Sequence, residues 1–186
     1  MLEASYRIRG LTVIVIGIVA LVAAAILIMS GIAQAKIPSA LTGETPMTPP
    51  AEKTSWTRSE LESMAESVAF ETGLDPYLVK AVISTESSWN PTAVNPSDPS
   101  YGILQVTVPI AIAYGVISNA DEKTELLKPM NGLRAGCRFL AYLVKTYPLD
   151  DAIQMYNLGE TKFRNGARVP AYLSKVKGYY NELRST

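Results

Sequence analysis

Glu86 is the residue of this sequence best placed to act as an acid or a base. Val82 and Ile83 lie on the apolar face of a predicted helix, and Glu86 continues that face before Asn90-Pro91 ends the helical pattern. A carboxyl group at the edge of an apolar core loses water, which raises its pKa towards the range useful for general acid catalysis. The same pattern is also typical of an exposed glutamate at a helix end or one paired with a lysine.

The composition excludes several other kinds of catalytic site. The sequence has no histidine and one cysteine, Cys137, so Ser-His-Asp and Cys-His catalysis and imidazole-based zinc sites are absent. Cys137 lies in an apolar helical pattern, where a packed thiol is far commoner than a nucleophile. The net charge is zero, which gives no indication of nucleic-acid binding. Nothing indicates a metal, a nucleotide or another cofactor.

Helices joined by polar loops are predicted to position Glu86. Ser59 and Glu62 fit a capping box at the start of a first helix, Gly73 fits its end, and Asp75-Pro76 fits the start of the helix that reaches Glu86. Residues 87–105 have the composition of a loop. Further helical patterns lie near 106–115, 130–147, 151–157 and 170–183. No alternating pattern is long enough to build a sheet, so a mainly α domain is predicted over 58–186.

The N-terminal region contains a long apolar segment. Residues 11–33 form a run of 23 uncharged residues, which spans about 35 Å as a helix and therefore exceeds the ~30 Å core of a bilayer. Arg7 and Arg9 precede it, so residues 1–10 are predicted to be cytoplasmic and the chain after the segment extracytoplasmic.

Two interpretations of this segment remain open. Its length favours a retained transmembrane signal anchor, whereas Ala33-Gln34-Ala35 fits a signal peptide cleaved after residue 35, which would give a secreted protein. Residues 34–57 contain several prolines and are predicted to form an extended linker.

Several short motifs follow one another between residues 60 and 180. They are Gly73-Leu74-Asp75-Pro76, Glu86-Ser87, Gly102-Ile103-Leu104-Gln105, a helix over 131–140, Met155-Tyr156-Asn157-Leu158-Gly159 and Tyr172-Leu173. In this order and spacing they resemble the catalytic domain of lytic transglycosylases related to the soluble lytic transglycosylase and to goose-type lysozyme.

The resemblance implies a lysozyme-like helical fold and an activity on the glycan strands of peptidoglycan. Glu86 would protonate the β-1,4 linkage between N-acetylmuramic acid (MurNAc) and N-acetylglucosamine (GlcNAc). The same carboxylate would then accept the proton of the MurNAc 6-hydroxyl, which closes a 1,6-anhydro ring without water. Such an enzyme opens the bacterial cell wall.

The resemblance also implies roles for other residues, each of which has a plain packing role as its alternative. Ser87 would hydrogen-bond the groove or Glu86, and Gln105 would contact sugar or fix its loop. Tyr156 would hold Glu86 or the substrate's N-acetyl group, Asn157 would bind backbone, and Tyr172 would pack across the groove floor.

The motif around Tyr156 departs from the family pattern. Met155 and Leu158 stand where the family has alanine, and we expect them to add bulk beside the groove. The polar and basic residues 160–170 are expected to form a substrate-facing loop.

Other functions remain compatible with the sequence. A hydrolytic muramidase on the same fold needs a second carboxylate to position water, and Asp98 and Glu160 are the loop acids near the motifs. A non-catalytic peptidoglycan-binding component is a further alternative. Service in a phage, secretion or conjugation apparatus that must breach the wall is compatible with any of these functions.

Overall fold

The computed structural model describes residues 53–185. These residues fold into seven α-helices, one 3₁₀ helix and a small sheet. The elements in chain order are α1 (Arg58–Thr72), α2 (Pro76–Glu86), β1 (Val94–Asn95), β2 (Ser100–Tyr101), β3 (Val106–Thr107), α3 (Val108–Ala113), the 3₁₀ helix (Ala120–Leu127), α4 (Pro129–Thr146), α5 (Leu149–Leu158), α6 (Glu160–Arg164) and α7 (Pro170–Arg184). These elements belong to one compact unit, 52–186.

The capping residues set the bounds of α1 and α2. The capping box of α1 is formed by Thr57 and Glu60, so the prediction of Ser59 and Glu62 is wrong. The pairs Thr57–Glu60 and Ser59–Glu62 have the same spacing, and the capping box forms at the pair that comes two residues earlier in the chain. Gly73 ends α1 with a left-handed φ of 71°, as predicted. Asp75 begins α2 by accepting a hydrogen bond from the backbone amide of Tyr77 at 2.9 Å, which confirms the predicted start.

The apolar face of α2 is the part of the core that supports the candidate site. Val79, Val82 and Ile83 are fully buried there, and α2 packs most extensively against α7. Helix α4 packs against α1 and α5. Because apolar burial is the main stabilising contribution to folding, this packing fixes the end of α2, where Glu86 lies.

A three-stranded antiparallel sheet lies within and just after the segment predicted to be a loop. Its strands have two residues each and pair in the order β1-β2-β3. Gly102 follows β2 with φ +76°, and a Cβ there would lie 2.1 Å from the carbonyl oxygen of Leu126. Glycine is required at this position because the backbone of the 3₁₀ helix approaches so closely. The strands are too short for an alternating pattern to reveal them in the sequence.

The prediction of a mainly α fold is confirmed for residues 53–185. The predicted helices near 130–147, 151–157 and 170–183 correspond to α4, α5 and α7, whereas α6 and the 3₁₀ helix were not predicted. None of the helices in this part of the chain has the length and apolar character needed to span a membrane. The predicted N-terminal segments 1–10 and 11–33 and most of the linker lie outside the described residues.

Candidate active site

Glu86 is the last residue of α2, and its carboxyl group is partly buried. Its Oε1 accepts a hydrogen bond from the Tyr172 hydroxyl at 2.5 Å. Burial raises the pKa of Glu86 from 4.5 to about 7, while the Tyr172 hydrogen bond and the positive charge of Lys175 act in the opposite direction. A carboxyl group with this pKa is present in both protonation states near neutral pH, so it can donate and accept a proton there.

Tyr172 reaches Glu86 because α7 packs along α2. Lys175, one turn later on α7, donates a weak hydrogen bond to the carbonyl oxygen of Thr85 at 3.5 Å. Burial and the neighbouring Glu86 charge raise the pKa of Tyr172 well above 10, so the phenol stays protonated and acts as a hydrogen-bond donor. The sequence predicted a packing role for Tyr172, and the structure adds this direct contact with Glu86.

The chain turns sharply after Glu86. Ser88 and Trp89 both have positive φ values, 50° and 69°, a conformation that is unfavourable for residues other than glycine. Trp89 is buried, and its indole nitrogen donates to Ser84 Oγ at 2.8 Å. Ser87 Oγ donates to the carbonyl oxygen of Ile103 at 2.7 Å. The Ser87 bond holds the turn against the Gly102–Gln105 segment, and the Trp89 bond ties it back to α2.

Gln105 fixes the sheet beside Glu86. Its amide nitrogen donates to the carbonyl oxygens of Ala93, at 3.1 Å, and Gly102, at 2.9 Å, and its amide oxygen accepts from Ser100 Oγ at 3.1 Å. Both amide hydrogens are therefore used within the protein. Gln105 was predicted either to contact sugar or to fix its loop, and these three hydrogen bonds show that it fixes the loop.

Tyr156 contacts the same segment rather than Glu86. Its hydroxyl donates to the carbonyl oxygen of Leu104 at 2.9 Å. Gly136 on α4 makes this contact possible, because a Cβ there would lie 2.7 Å from the Tyr156 hydroxyl and 2.6 Å from Leu104 Cδ1. Burial and the Glu86 charge raise the pKa of Tyr156 well above 10. A hydrogen bond from Tyr156 to Glu86, one of the predicted alternatives, is not formed.

One polar cleft brings several of the predicted residues together. Glu86, Gln105, Tyr156 and Asn157 line it, together with residues that were not predicted to bind substrate: Asn95, Asp98, Ser100 and Thr107. The cleft encloses about 550 Å³, including the open space at its mouth. Ser87 and Tyr172 lie outside its lining and act on it through Ile103 and Glu86. Thr107 follows the Gly-Ile-Leu-Gln motif closely, which is the signal that could have identified it.

Asn157 differs from its predicted role. Its side chain is exposed and forms no hydrogen bond with any residue in 53–185, whereas a bond to backbone was expected. Its amide is therefore available to a ligand in the cleft.

The two residues that replace alanine lie in different environments. Met155 is 3% exposed and packs in a small core with Leu143, Ala152 and Phe163, so the prediction that it adds bulk beside the groove is wrong. The reason is helical spacing, since Met155 follows the buried Ala152 by three residues on the same face. Leu158 lines a second cavity beyond the Glu86 cleft.

Asp98 and Glu160, the candidates for the second carboxylate of a hydrolase, lie in different cavities. Asp98 lines the Glu86 cleft, whereas Glu160 lines the second cavity. Glu160 accepts hydrogen bonds from Tyr147, at 2.6 Å, and Tyr142, at 3.1 Å, and pairs with Arg164. No group of three or more His, Cys, Asp or Glu side chains within 53–185 is arranged to hold a metal ion.

The chain belongs to the transglycosylase SLT domain family, whose profile matches residues 63–175. This match confirms the resemblance drawn from the motifs and agrees with the predicted lysozyme-like fold. Among solved structures, the chain is similar to the 70 kDa soluble lytic transglycosylase of Escherichia coli, with 19% identity and a TM-score of 0.48. The similar region covers 63% of this chain but 19% of that protein. No curated protein matches the chain.

Proposed function

We propose that this protein cleaves the MurNAc–GlcNAc β-1,4 linkage of peptidoglycan without water and leaves 1,6-anhydro-MurNAc ends. One observation carries the proposal: Glu86 lies partly buried in a polar cleft, with a pKa of about 7 and a hydrogen bond from Tyr172. A single carboxyl group of this kind can act as the acid and then as the base of one reaction.

In the first step, protonated Glu86 donates its proton to the glycosidic oxygen that leaves C1 of MurNAc. In the second step, ionised Glu86 accepts the proton of the 6-hydroxyl while that oxygen forms a bond to C1. No water enters the product, and Glu86 returns to its protonated form. The substrate's own N-acetyl oxygen would stabilise the cationic carbon between the steps, so no second protein carboxylate is needed.

Tyr172 acts as a positioning residue for Glu86. Its hydroxyl fixes one carboxyl oxygen at 2.5 Å, which leaves the other oxygen for the reaction with substrate. The hydrogen bond also stabilises the carboxylate formed after the first proton transfer. Lys175 adds a favourable charge interaction with the same carboxylate.

The remaining predicted residues are proposed to act on substrate or on the shape of the cleft. Asn157 would bind substrate through its free amide, because it lines the cleft and has no partner within 53–185. Ser87, Gln105 and Tyr156 are bonded to the loop that forms the cleft wall. We assign them to positioning that wall, with Gln105 and Tyr156 also facing the substrate.

We further propose that the domain works on the extracytoplasmic side, held there by residues 11–33 as a membrane anchor and by the linker 34–57. The uncharged run of 23 residues supports this arrangement. A signal peptide cleaved after Ala35 is the alternative, and the mass of the purified protein distinguishes the two. An anchored enzyme on an extended linker also suits a phage, secretion or conjugation apparatus.

Glu86→Gln tests the proposal with little change in shape. On purified sacculi, we expect release of soluble fragments to fall by a factor of about 10² to 10⁴, the usual contribution of general acid–base catalysis. Glu182→Gln, an exposed glutamate on α7, is the matched control and should retain full activity. Undiminished release of fragments by Glu86→Gln, or no release by the wild type, would refute the proposed activity.

A further inference from the structure

An arginine from another helix covers the turn that follows Glu86. Arg58, the first residue of α1, places its guanidinium carbon 3.9 Å from the centre of the Trp89 ring. A cation over the face of an aromatic ring is attracted by the negative potential of that face. Arg58 and Ser88 also line one small cavity together with Trp89. The guanidinium therefore lies over the part of the chain where two successive residues have positive φ.

The Arg58 side chain is held in this position from its own helix. Its Nε donates to Oε1 of Glu62, one turn later on α1, at 2.8 Å. Thr57, the residue before Arg58, forms the capping box with Glu60, and Lys53 pairs with the same glutamate at 2.5 Å. Polar contacts thus fix the first turn of α1 before and after Arg58, at the point where the linker joins the domain.

Trp89 connects this stacked pair to Glu86. The indole is buried, and its nitrogen donates to Oγ of Ser84, which precedes Glu86 on the last turn of α2. The positive φ values of Ser88 and Trp89 persist only where the surrounding structure holds them. The bond to Ser84 fixes one edge of the indole, and Arg58 covers one of its faces. Loss of the cover would let the turn relax and would admit water to the end of α2.

We infer that Arg58 is a positioning residue for Glu86 that acts through Trp89, an inference that rests on the proposed function. The stacked pair holds the strained turn, and the turn keeps the Glu86 carboxyl group partly buried. Arg58 precedes residues 63–175, the region that the family profile matches, so no motif within that region identifies it. The start of α1, beside the linker, therefore contributes to the geometry of the candidate active site.

Four titratable groups lie around the Glu86 carboxyl group on other elements: Tyr172 and Lys175 on α7, Tyr156 on α5 and Asp98 in the cleft. Arg58 forms no hydrogen bond or ion pair with any of these four residues. Its substitution therefore reaches Glu86 through the turn and not through their charges.

An NMR titration of Glu86 measures this role directly. In the full-length protein, held in detergent micelles and labelled with ¹³C at its glutamate carboxyl groups, the Glu86 signal is the one that Glu86→Gln removes. An exposed cation–π contact contributes about a twofold to fivefold preference between two states. We therefore expect Arg58→Ala to lower the pKa of Glu86 by about 0.3–0.7 of a pH unit, as water reaches the carboxyl group. Loss of a nearby positive charge alone would raise that pKa, so the direction separates the two effects.

The kinetics should change in the same direction. For Arg58→Ala on sacculi, we expect the alkaline limb of the pH profile of kcat/KM to move to lower pH by the same amount. We also expect kcat to fall about twofold to fivefold while KM stays unchanged.

Arg134→Ala is the matched control. Arg134 is an exposed arginine that pairs with Glu71 on α1, but it stacks on no aromatic ring within 53–185, so its substitution should leave the pKa of Glu86 unchanged. An unchanged or raised pKa in Arg58→Ala, or an equal fall in Arg134→Ala, would overturn the inference. If Arg58→Ala lowers the pKa as expected but the wild type releases no fragments from sacculi, Arg58 still positions Glu86 and the proposed activity fails.

Discussion

The Tyr172 hydroxyl lies 2.5 Å from Oε1 of Glu86, although 86 positions separate the two residues in the sequence. The contact joins α7 to the end of α2, the two helices that pack most extensively in the domain. Burial raises the pKa of Glu86, the hydrogen bond from Tyr172 lowers it, and the resulting pKa is about 7. The acid strength of Glu86 therefore depends on long-range packing as well as on its own helix.

Tyr172→Phe is expected to raise the pKa of Glu86 above about 7, because the lost hydrogen bond favours the ionised carboxylate. The alkaline limb of the pH profile of kcat/KM, which reports loss of the protonated acid, should move to higher pH. We expect kcat to fall about tenfold, in line with a hydrogen bond to a charged group. Tyr179→Phe on the same helix is the control, and an equal effect of both substitutions would contradict the positioning role.

Glu86→Gln is expected to stabilise the fold at alkaline pH. The unfolded chain ionises Glu86 near pH 4.5 and the native protein near pH 7, so the native state binds more protons between these values. Wild-type stability therefore falls as the pH rises from 4.5 to 7 and then stays level, by up to about 3 kcal/mol. Urea unfolding should give equal stabilities at pH 4 and a more stable Glu86→Gln protein at pH 8. Equal stabilities at both pH values would show that Glu86 is fully solvated.

Ser87→Ala is expected to loosen the wall of the cleft. It leaves the carbonyl oxygen of Ile103 without its 2.7 Å hydrogen bond, at a cost of about 1–3 kcal/mol in the free energy of unfolding. Chemical denaturation measures this cost, and activity on sacculi should fall with it. Ser63→Ala is the control, because that serine is exposed on α1 and bonds only the preceding turn, and it should change stability by less than about 0.5 kcal/mol.

Two glycine substitutions should have opposite effects. Gly136→Ala places a methyl group against Leu104 and the Tyr156 hydroxyl, and overpacking of this kind costs about 1–3 kcal/mol. Gly178→Ala on α7 meets no atom within 4 Å and should stabilise the helix by about 0.5–1 kcal/mol. Thermal unfolding measures both. A neutral Gly136→Ala would mean that the close packing of α4 against the Gly102–Gln105 segment is not required.

The part of the site that depends on local structure could be predicted from the sequence. The position of Glu86 at the end of α2 follows from the spacing of Val82 and Ile83, and the start of α2 follows from Asp75-Pro76. Helical periodicity also places Met155 in the core with Ala152. The sequence prediction for Met155 was based on the alanine of the family motif instead of on this periodicity, and it was therefore wrong. The shift of the capping box to Thr57 shows that two overlapping motifs of equal spacing cannot be separated by sequence alone.

The partners of the tyrosines could not be predicted, because they depend on how distant helices pack. Tyr156 was a candidate to hold Glu86, yet its hydroxyl bonds Leu104 and Tyr172 takes that position. The sequence supplies both phenols near the motifs but gives no distances between them. The cleft wall likewise combines residues from separate elements, among them Glu86, Gln105 and Tyr156.

Mass spectrometry of the fragments released from purified sacculi tests the central claim most directly. The account predicts that wild-type products end in 1,6-anhydro-MurNAc, lighter by one water than a hydrolysed end, and that Glu86→Gln releases almost none of them. Hydrated MurNAc ends from the wild type would contradict it and would indicate a hydrolase, with Asp98 in the Glu86 cleft as the carboxylate that positions water.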